Sequence, residues 1–360
     1  MSNTEKTRNH KSREAVGCKP SDSGKRTSLY LIVGVVAVFV AAVILSAPLL
    51  LSGSKKDATV YIPRDATKAQ VSDTLHKYFE KGYADRVMFM IKAQRIDLSK
   101  RYGAYFIPEG TSPFRAMRKL SRGAQTPVRL TINHFRDFNA LSEAIGAKID
   151  ASPEEFRRAA TDPKFLAEYG LTPDQALSLF IEDSYDVYWS TTPEEIVKKI
   201  AKNYTGFWND ENRRKAAAKG LTPGEVMIIA SIADEESNMA DEKGRIGQLY
   251  INRLNKGMRL QADPTVRYAV GDFTIKRVTS KHLQTESPYN TYLIDGLPPA
   301  PIRTTSKRTL QAILDEGPSD ELYMCAREDF SGYHNFAADY ATHTQNALRY
   351  QHALDQRNIK

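Results

Sequence analysis

Five carboxylates crowd one short stretch, SIADEESNMADE at residues 231–242, directly after the apolar run EVMIIA. The run reads as a buried helix. Thr222 offers a cap, Pro223 the first helical position and Glu225 the returning acid of a capping box. Val226 to Ala233 is apolar nearly all round. Glu236 falls four residues after Ile232 and seven after Ile229, which places it on one stripe with them, while Asp234 and Glu235 point elsewhere. Three effects raise the pKa of a carboxyl in that position. Apolar neighbours disfavour its charged form, the two preceding acids repel a further negative charge, and the negative end of the helix dipole lies close by. A carboxyl that stays protonated near neutral pH can give its proton to a leaving oxygen, which is general-acid catalysis. The bland alternative is an acidic helix end frayed into solvent, and the spacing by itself fits that at least as well. Two other pairings carry less. Cys325 with His334 could act as nucleophile and base, but a buried structural thiol is the commoner use of such a cysteine. His334 and His343 lie nine residues apart, which matches no common zinc pattern. No metal and no cofactor is expected.

The elements that must position Glu236 are marked by their starts. SPEE at 152, TPDQ at 172, TPEE at 192 and TPGE at 222 each join a Ser or Thr cap to Pro and then to an acid or Gln, so four helices are expected to begin there. The segments after these four starts do not match one another, so they are not a repeat. Nearer the N-terminus, TVYIPRDATKAQVSDTLHKYF (59–79) and AYFIPEGTSPFRAMRKLSRG (104–123) each read as strand, turn and helix, and PVRLTI (127–132) alternates like a strand. The C-terminal part sets short apolar runs such as ELYMCA among loops rich in Pro, Tyr, Asn and Gly. That pattern suggests an α+β domain with a loop-built groove. The last twenty residues read as an amphipathic helix.

The chain of 360 residues, 41% hydrophobic and 26% charged, has the composition of a globular protein with room for two domains. One segment departs from it. Residues 29–51 carry no charge and are long enough to span a bilayer as a helix. The 28 residues before them hold seven Lys and Arg against three acids, a bias that places this tail in the cytoplasm. A cleaved signal peptide would have a shorter apolar core. Much of the net charge of +8 sits in that tail, so the remainder is only mildly basic, and nucleic acid is not an expected partner. The same topology separates Cys18 from Cys325 and leaves no disulfide framework.

Downstream of the acids, GQLYINRLNKGMRLQADPTVRYAVGD (247–272) and SPYNTYLIDGLPPAPIR (287–303) resemble the endolytic murein transglycosylase (YceG-like) family. Those are membrane-anchored bacterial enzymes that cut the glycan strands of peptidoglycan. DEES at 234–237 is similar to the family's E-x-E-T. INRL, LQADPTV, YNTY, GLPP and a late H-x-F at His334 and Phe336 come after it in order. The 102–123 stretch resembles the family's LysM-like module. Departures are Asp234 for Glu, Ser237 for Thr and Ala300 for Gly, none at the catalytic position.

The resemblance implies an α+β protein with these parts: a basic tail (1–28), a transmembrane helix (29–51), a linker (52–57), a LysM-like module (58–132), a mostly helical region (133–221) and a catalytic core (222–360). It implies that Glu236 is catalytic. As both acid and base it would cleave the MurNAc–GlcNAc bond and leave 1,6-anhydroMurNAc ends, the attacking hydroxyl coming from the substrate. Asp263 keeps a hydrolase open, because ordinary glycosidases use two carboxylates; it reads equally as a turn residue before Pro264. Gln261, Asp263, Tyr289, Asn290, Tyr292, His334, Asn335 and Asn252 are the candidate glycan contacts, and Asn252 could instead only hold its helix. A wall-binding scaffold without activity is the reading from another class, and a soluble lyase would be on the wrong side of the membrane from its substrate. The implied partners are glycan strands, the cytoplasmic membrane and cell-wall synthesis proteins. The implied location is the bacterial inner membrane, single-pass, with the catalytic part periplasmic. The charge bias makes the topology testable. A reporter that works only after export, fused behind Lys360, should be active, whereas one that works only in the cytoplasm should be silent.

Overall fold

The computed structural model describes residues 22–98, 100–275 and 277–357. Cys18 and most of the basic tail lie outside them. The chain divides into two compact units, one of residues 22–60, 67–98 and 106–124, the other of 61–66, 100–105 and 125 onward.

The first unit begins with α1 (Asp22–Leu51). Its Thr27–Leu51 stretch, 25 residues with none of its apolar window buried, is long and apolar enough to cross a membrane. Its start precedes the uncharged run because Lys25 and Arg26 continue the helix. α2 (Lys68–Tyr78), α3 (Lys81–Ala93) and α4 (Pro113–Ser121) also belong to this unit, while the residues of β1 (Ala58–Ile62) and β2 (Gly103–Ile107) are divided between the two units. β1 pairs with β2. Both strand–turn–helix readings are therefore seen, with a further helix, α3, between them. α2 starts on a reciprocal capping box between Thr67 and Gln70, and α4 on Ser112 followed by Pro113.

In the second unit β3 (Pro127–Ile132) pairs antiparallel with β4 (Asp183–Tyr188), from Pro127 opposite Tyr188 to Ile132 opposite Asp183. The strand read at 127–132 thus takes its partner from deep within the helical middle. Between them lie α5 (Phe138–Gly146), α6 (Pro153–Ala160) and α7 (Pro163–Ala167). The TPDQ segment departs from expectation. It forms a 3-10 turn over Pro173–Leu179 rather than an α-helix, although its Thr172–Gln175 box is made. Phe180 and Ile181, both fully buried, leave the turn to enter the core ahead of β4, and that cuts the helix short.

α8 (Pro193–Phe207) and α9 (Asp210–Ala218) lead to α10 (Pro223–Glu236). From Val226 to Ala233 no residue of α10 is more than 3% exposed. The helix packs on α9, α11 (Lys243–Asn255), α12 (Asp263–Val270) and α14 (Lys307–Asp315), which explains a sequence apolar on every face. A short α13 (Ser280–Leu283), the hairpin β5 (Tyr323–Ala326)–β6 (His334–Ala337) and α15 (Tyr340–Gln356) complete the unit. One core runs from Leu130 to Leu314 and contains Trp208, Tyr204, Phe156, Phe180 and Tyr250. The result is a mixed helix-and-strand protein whose sheets are small.

α11 and α14 approach closely through Gly244 and Gly247. A Cβ on Gly244 would lie 2.7 Å from the backbone oxygen of Ala312, and one on Gly247 would lie 2.6 Å from the Ile313 side chain. Gly244→Ala should therefore lower stability by about 1–3 kcal/mol through overpacking. Helix propensity alone would predict a gain of about 1 kcal/mol. Thermal unfolding of the purified chain decides between the two signs.

Candidate active site

The five acids of the opening stretch have five different surroundings. Asp234 is buried and accepts from Lys243 Nζ (2.6 Å), Thr305 Oγ1 (2.6 Å) and Thr309 Oγ1 (2.7 Å), so it fastens α10 to α11 and α14. Glu235 accepts two bonds from Arg136, at 3.2 and 3.0 Å, and a third from Arg303 at 3.2 Å. Asp241 is exposed and receives the Tyr333 hydroxyl at 3.2 Å. Glu242 accepts the His334 backbone N–H (2.8 Å) and pairs with the His334 ring at Nδ1 (3.0 Å), tying β6 to the loop after α10. Glu236 has no basic partner within salt-bridge distance among the described residues, and it opens on a cavity.

That cavity, about 450 Å³, lies between the end of α10, the Leu249–Arg253 face of α11, residues 260–267, Tyr292, the β5–β6 hairpin and the first turn of α15. Its size falls in the range of ligand pockets. A cavity of about 370 Å³ in the first unit offers no comparable acid, because its carboxylate, Glu80, is exposed and paired with Lys55 at 2.6 Å.

Protein surrounds the Glu236 carboxyl, with part of the residue facing the cavity. Burial pushes its pKa up to about 7; the Asp263 and Glu235 charges add to this, while the Tyr250 hydrogen bond and the Arg267 charge oppose it. The Tyr250 hydroxyl donates to Glu236 Oε1 at 2.6 Å. Tyr250 is itself buried, and its own pKa is driven well upward by burial and by the adjacent carboxyl, so it remains a donor. The site thus holds a carboxyl that is substantially protonated at neutral pH and oriented by a neutral phenol.

Asp263 is the first residue of α12, not a free turn residue, and it accepts from the Tyr292 hydroxyl at 2.7 Å. Gln261 precedes it in the left-handed region (φ 51). A non-glycine residue there costs of order 1–3 kcal/mol and persists when its surroundings over-determine it. Here the Gln261 N–H donates to Thr291 O (3.1 Å), and its side-chain oxygen accepts from Arg253 (2.6 Å). The next residue, Ala262, donates to Thr291 Oγ1 at 2.9 Å.

Glu236, Gln261, Asp263, Tyr292 and His334 therefore share one cavity. The other four candidates sit outside its lining. Asn290 is buried, and its amide donates to Leu283 O and Thr285 O (2.9 and 2.8 Å) while its oxygen accepts the Tyr292 N–H (3.0 Å). It shapes the loop that delivers Tyr292. Tyr289 packs on Tyr268, ring centroids 4.7 Å apart. Asn252 donates to Ser319 O and Glu321 O (2.8 and 2.9 Å), holding the end of α11. Asn335 alternates away from His334 along β6 and donates to Glu328 at 2.7 Å. Cys325 is among the lining residues, but burial raises the pKa of its thiol, which opposes a nucleophilic role.

Tyr250, Arg253, Arg267, Tyr323, Tyr340 and His343 also line the cavity, and sequence reasoning had not given them a binding role. A signal existed for two of them. Ile246, Leu249, Tyr250 and Arg253 fall at i, i+3, i+4 and i+7, so Tyr250 and Arg253 are polar groups on the buried stripe of α11.

The YceG-like family model matches residues 60–349. The chain belongs to the YceG-like family. It is 33% identical over 139 residues to an endolytic murein transglycosylase of Bacillus subtilis (39% of this chain, 38% of the relative). It is 25% identical over 310 residues to the one of Streptococcus pneumoniae serotype 2 (76% of this chain, 55% of the relative). The chain thus spans about half or less of the length of the curated relatives it matches. A crystal structure of a YceG-like protein from Listeria monocytogenes superposes with a TM-score of 0.54 at 26% identity, covering 81% of this chain and 99% of that one.

Burial of Glu236 also sets a stability signature. Its pKa is raised from 4.5 to about 7 on folding, so its favourable contribution is complete below about 4.5 and is lost progressively as pH rises to about 7. Glu236→Gln removes that dependence. The variant's melting temperature relative to the parent should therefore climb between pH 5 and pH 8 and then level off. A pH-independent difference would contradict a carboxyl buried in this way.

Proposed function

We propose that this chain is an endolytic lytic transglycosylase that cuts the MurNAc–GlcNAc bond inside peptidoglycan strands. The observation that carries the reading is the sorting of the acids, which leaves Glu236 without a basic partner, substantially protonated and open to a cavity. In its protonated form Glu236 donates to the glycosidic oxygen as the bond to the MurNAc anomeric carbon breaks. The resulting carboxylate then takes the proton of the MurNAc 6-hydroxyl as that oxygen bonds the same anomeric carbon, closing the 1,6-anhydro ring and restoring the acid. No water is consumed. Tyr250 holds the carboxyl in place and stabilises its ionised form between the two transfers. Tyr292, Asp263, Gln261 and His334 provide hydroxyl, carboxylate, amide and imidazole partners for sugar hydroxyls. Supporting this are the membership of the family and the names of the bacterial relatives.

A hydrolase with Asp263 as second carboxylate is the competing chemistry. The Tyr292 hydroxyl already engages one Asp263 oxygen, which favours a positioning role for that acid. In either case the long apolar helix Thr27–Leu51 would serve as a single-pass anchor with its N-terminus in the cytoplasm and the site outside, where the polymer lies. The upstream unit would be the LysM-like, wall-contacting part.

Mass spectrometry of products from purified glycan strands separates the two reactions. Anhydro-terminated fragments of several lengths are expected. Ends heavier by one water, about 18 mass units, would instead establish hydrolysis. Glu236→Gln should lose about 10²–10⁴-fold in rate or more, since one group serves as acid and base. The parent's rate should fall as pH rises through about 7, where the acid loses its proton.

A further inference from the structure

Tyr340 borders the cavity, and the proposed reaction gives it no task. The residue is 68% exposed. It is the first residue of α15, whose start is fixed by Asp339 accepting from the Thr342 N–H (2.9 Å) and hydroxyl (2.8 Å). Two rings hold it from behind. Tyr323 meets it edge-on at 5.8 Å, and His343 lies 6.1 Å away. Those two stack on each other at 5.3 Å with 23° between their planes, and the Arg253 guanidinium lies over Tyr323 at 5.7 Å. Tyr323 is thus engaged by His343 and Arg253, whereas Tyr340 is braced at its edge and exposed. Burial and the Arg253 charge lower the His343 pKa, so the brace is a neutral ring.

A rigid aromatic face with a wet edge, set among Arg253, Gln261 and His334 in one cavity, suits a ligand that is apolar on its flat side and polar round its rim. A pyranose ring has that character: axial C–H bonds on one face, hydroxyl and acetamido groups at the edge. We propose that Tyr340 is the stacking platform of a sugar subsite in the cavity that contains Glu236, taking a pyranose ring of an amino-sugar strand. This rests on the glycan reading above and adds to it the residue that sets substrate affinity. Tyr340 is then a binding residue and takes no part in proton transfer. Its loss weakens association of strand and enzyme and leaves the chemical step intact.

The test uses the 360-residue chain in detergent with peptide-free glycan strands. Tyr340→Ala should raise KM roughly fivefold to tenfold with kcat within about twofold of the parent, and Tyr340→Phe, which keeps the ring, should behave like the parent. An unchanged KM for Tyr340→Ala overturns the proposal. So does a Tyr340→Phe variant as impaired as Tyr340→Ala, since the hydroxyl would then be the active group, or a loss confined to kcat. The second measurement is binding of chitotetraose to the Glu236→Gln chain, with and without Tyr340→Ala. Weaker binding on loss of the ring supports the platform; equal binding overturns it. If Tyr340 governs binding while the parent leaves strands uncut, the subsite stands and the transglycosylase reading falls. If the parent cuts and Tyr340→Ala keeps its KM and its affinity, the reverse holds.

Discussion

A carboxyl set at the end of a helix buried on all sides is the constraint that organises this protein. An isolated ionised carboxylate in such surroundings costs several kcal/mol, and a group so placed either finds a cation or keeps its proton. Glu236 keeps its proton to about pH 7. The rest of the site maintains that condition. Asp234 and Glu235, adjacent in sequence, are drawn off into their own networks with Lys243 on one side and with Arg136 and Arg303 on the other. Among the described residues Asp263 is then the one other carboxylate in the cavity lining, and it is engaged by the Tyr292 hydroxyl. Tyr250 supplies a donor that fixes the carboxyl; its hydrogen bond pulls the pKa of Glu236 down, but the effect of burial prevails.

The supports come from distant parts of the chain because a carboxyl in that position needs walls on every side. Ser231 Oγ, from within α10, accepts the Ile302 N–H at 3.0 Å, and Thr305 and Thr309 reach Asp234 from the same downstream stretch. The left-handed Gln261 and the loop at 290–292 lock one another, so the backbone strain at Gln261 is offset by bonds that also place Asp263 and Tyr292. Gly244 and Gly247 let α14 close on α11 and so complete the enclosure of α10.

Sequence carried the parts that local chemistry dictates. The Thr222–Glu225 box starts α10 as read, Ile229 and Ile232 are buried with Glu236 beyond them at the cavity, and the uncharged run forms one long apolar helix. The order of motifs from DEES to the late H-x-F pointed to the family that the comparison then established. Direction was the part that composition could not supply. Asn252, Tyr289, Asn290 and Asn335 have the side-chain types that bind sugars, yet Asn252 and Asn290 donate to backbone carbonyls, Asn335 donates to Glu328 and Tyr289 packs on Tyr268, because amides and rings serve the protein's own groups as well as a ligand. Tyr323, Tyr340 and His343 carried no periodic signal, since the hairpin and the helix that present them meet only in three dimensions. The pairing of β3 with β4 across some fifty residues is likewise non-local.

The protonation state of Glu236 is the claim on which this account stands, and infrared difference spectroscopy reads it directly. The spectrum of the 360-residue chain minus that of its Glu236→Gln variant, followed with pH, isolates the carbonyl band of this one protonated carboxyl. The account predicts that the band is present at pH 6 and disappears with a midpoint near 7. A carboxyl already ionised at pH 6, with a midpoint at or below the ordinary value of about 4.5, would contradict it.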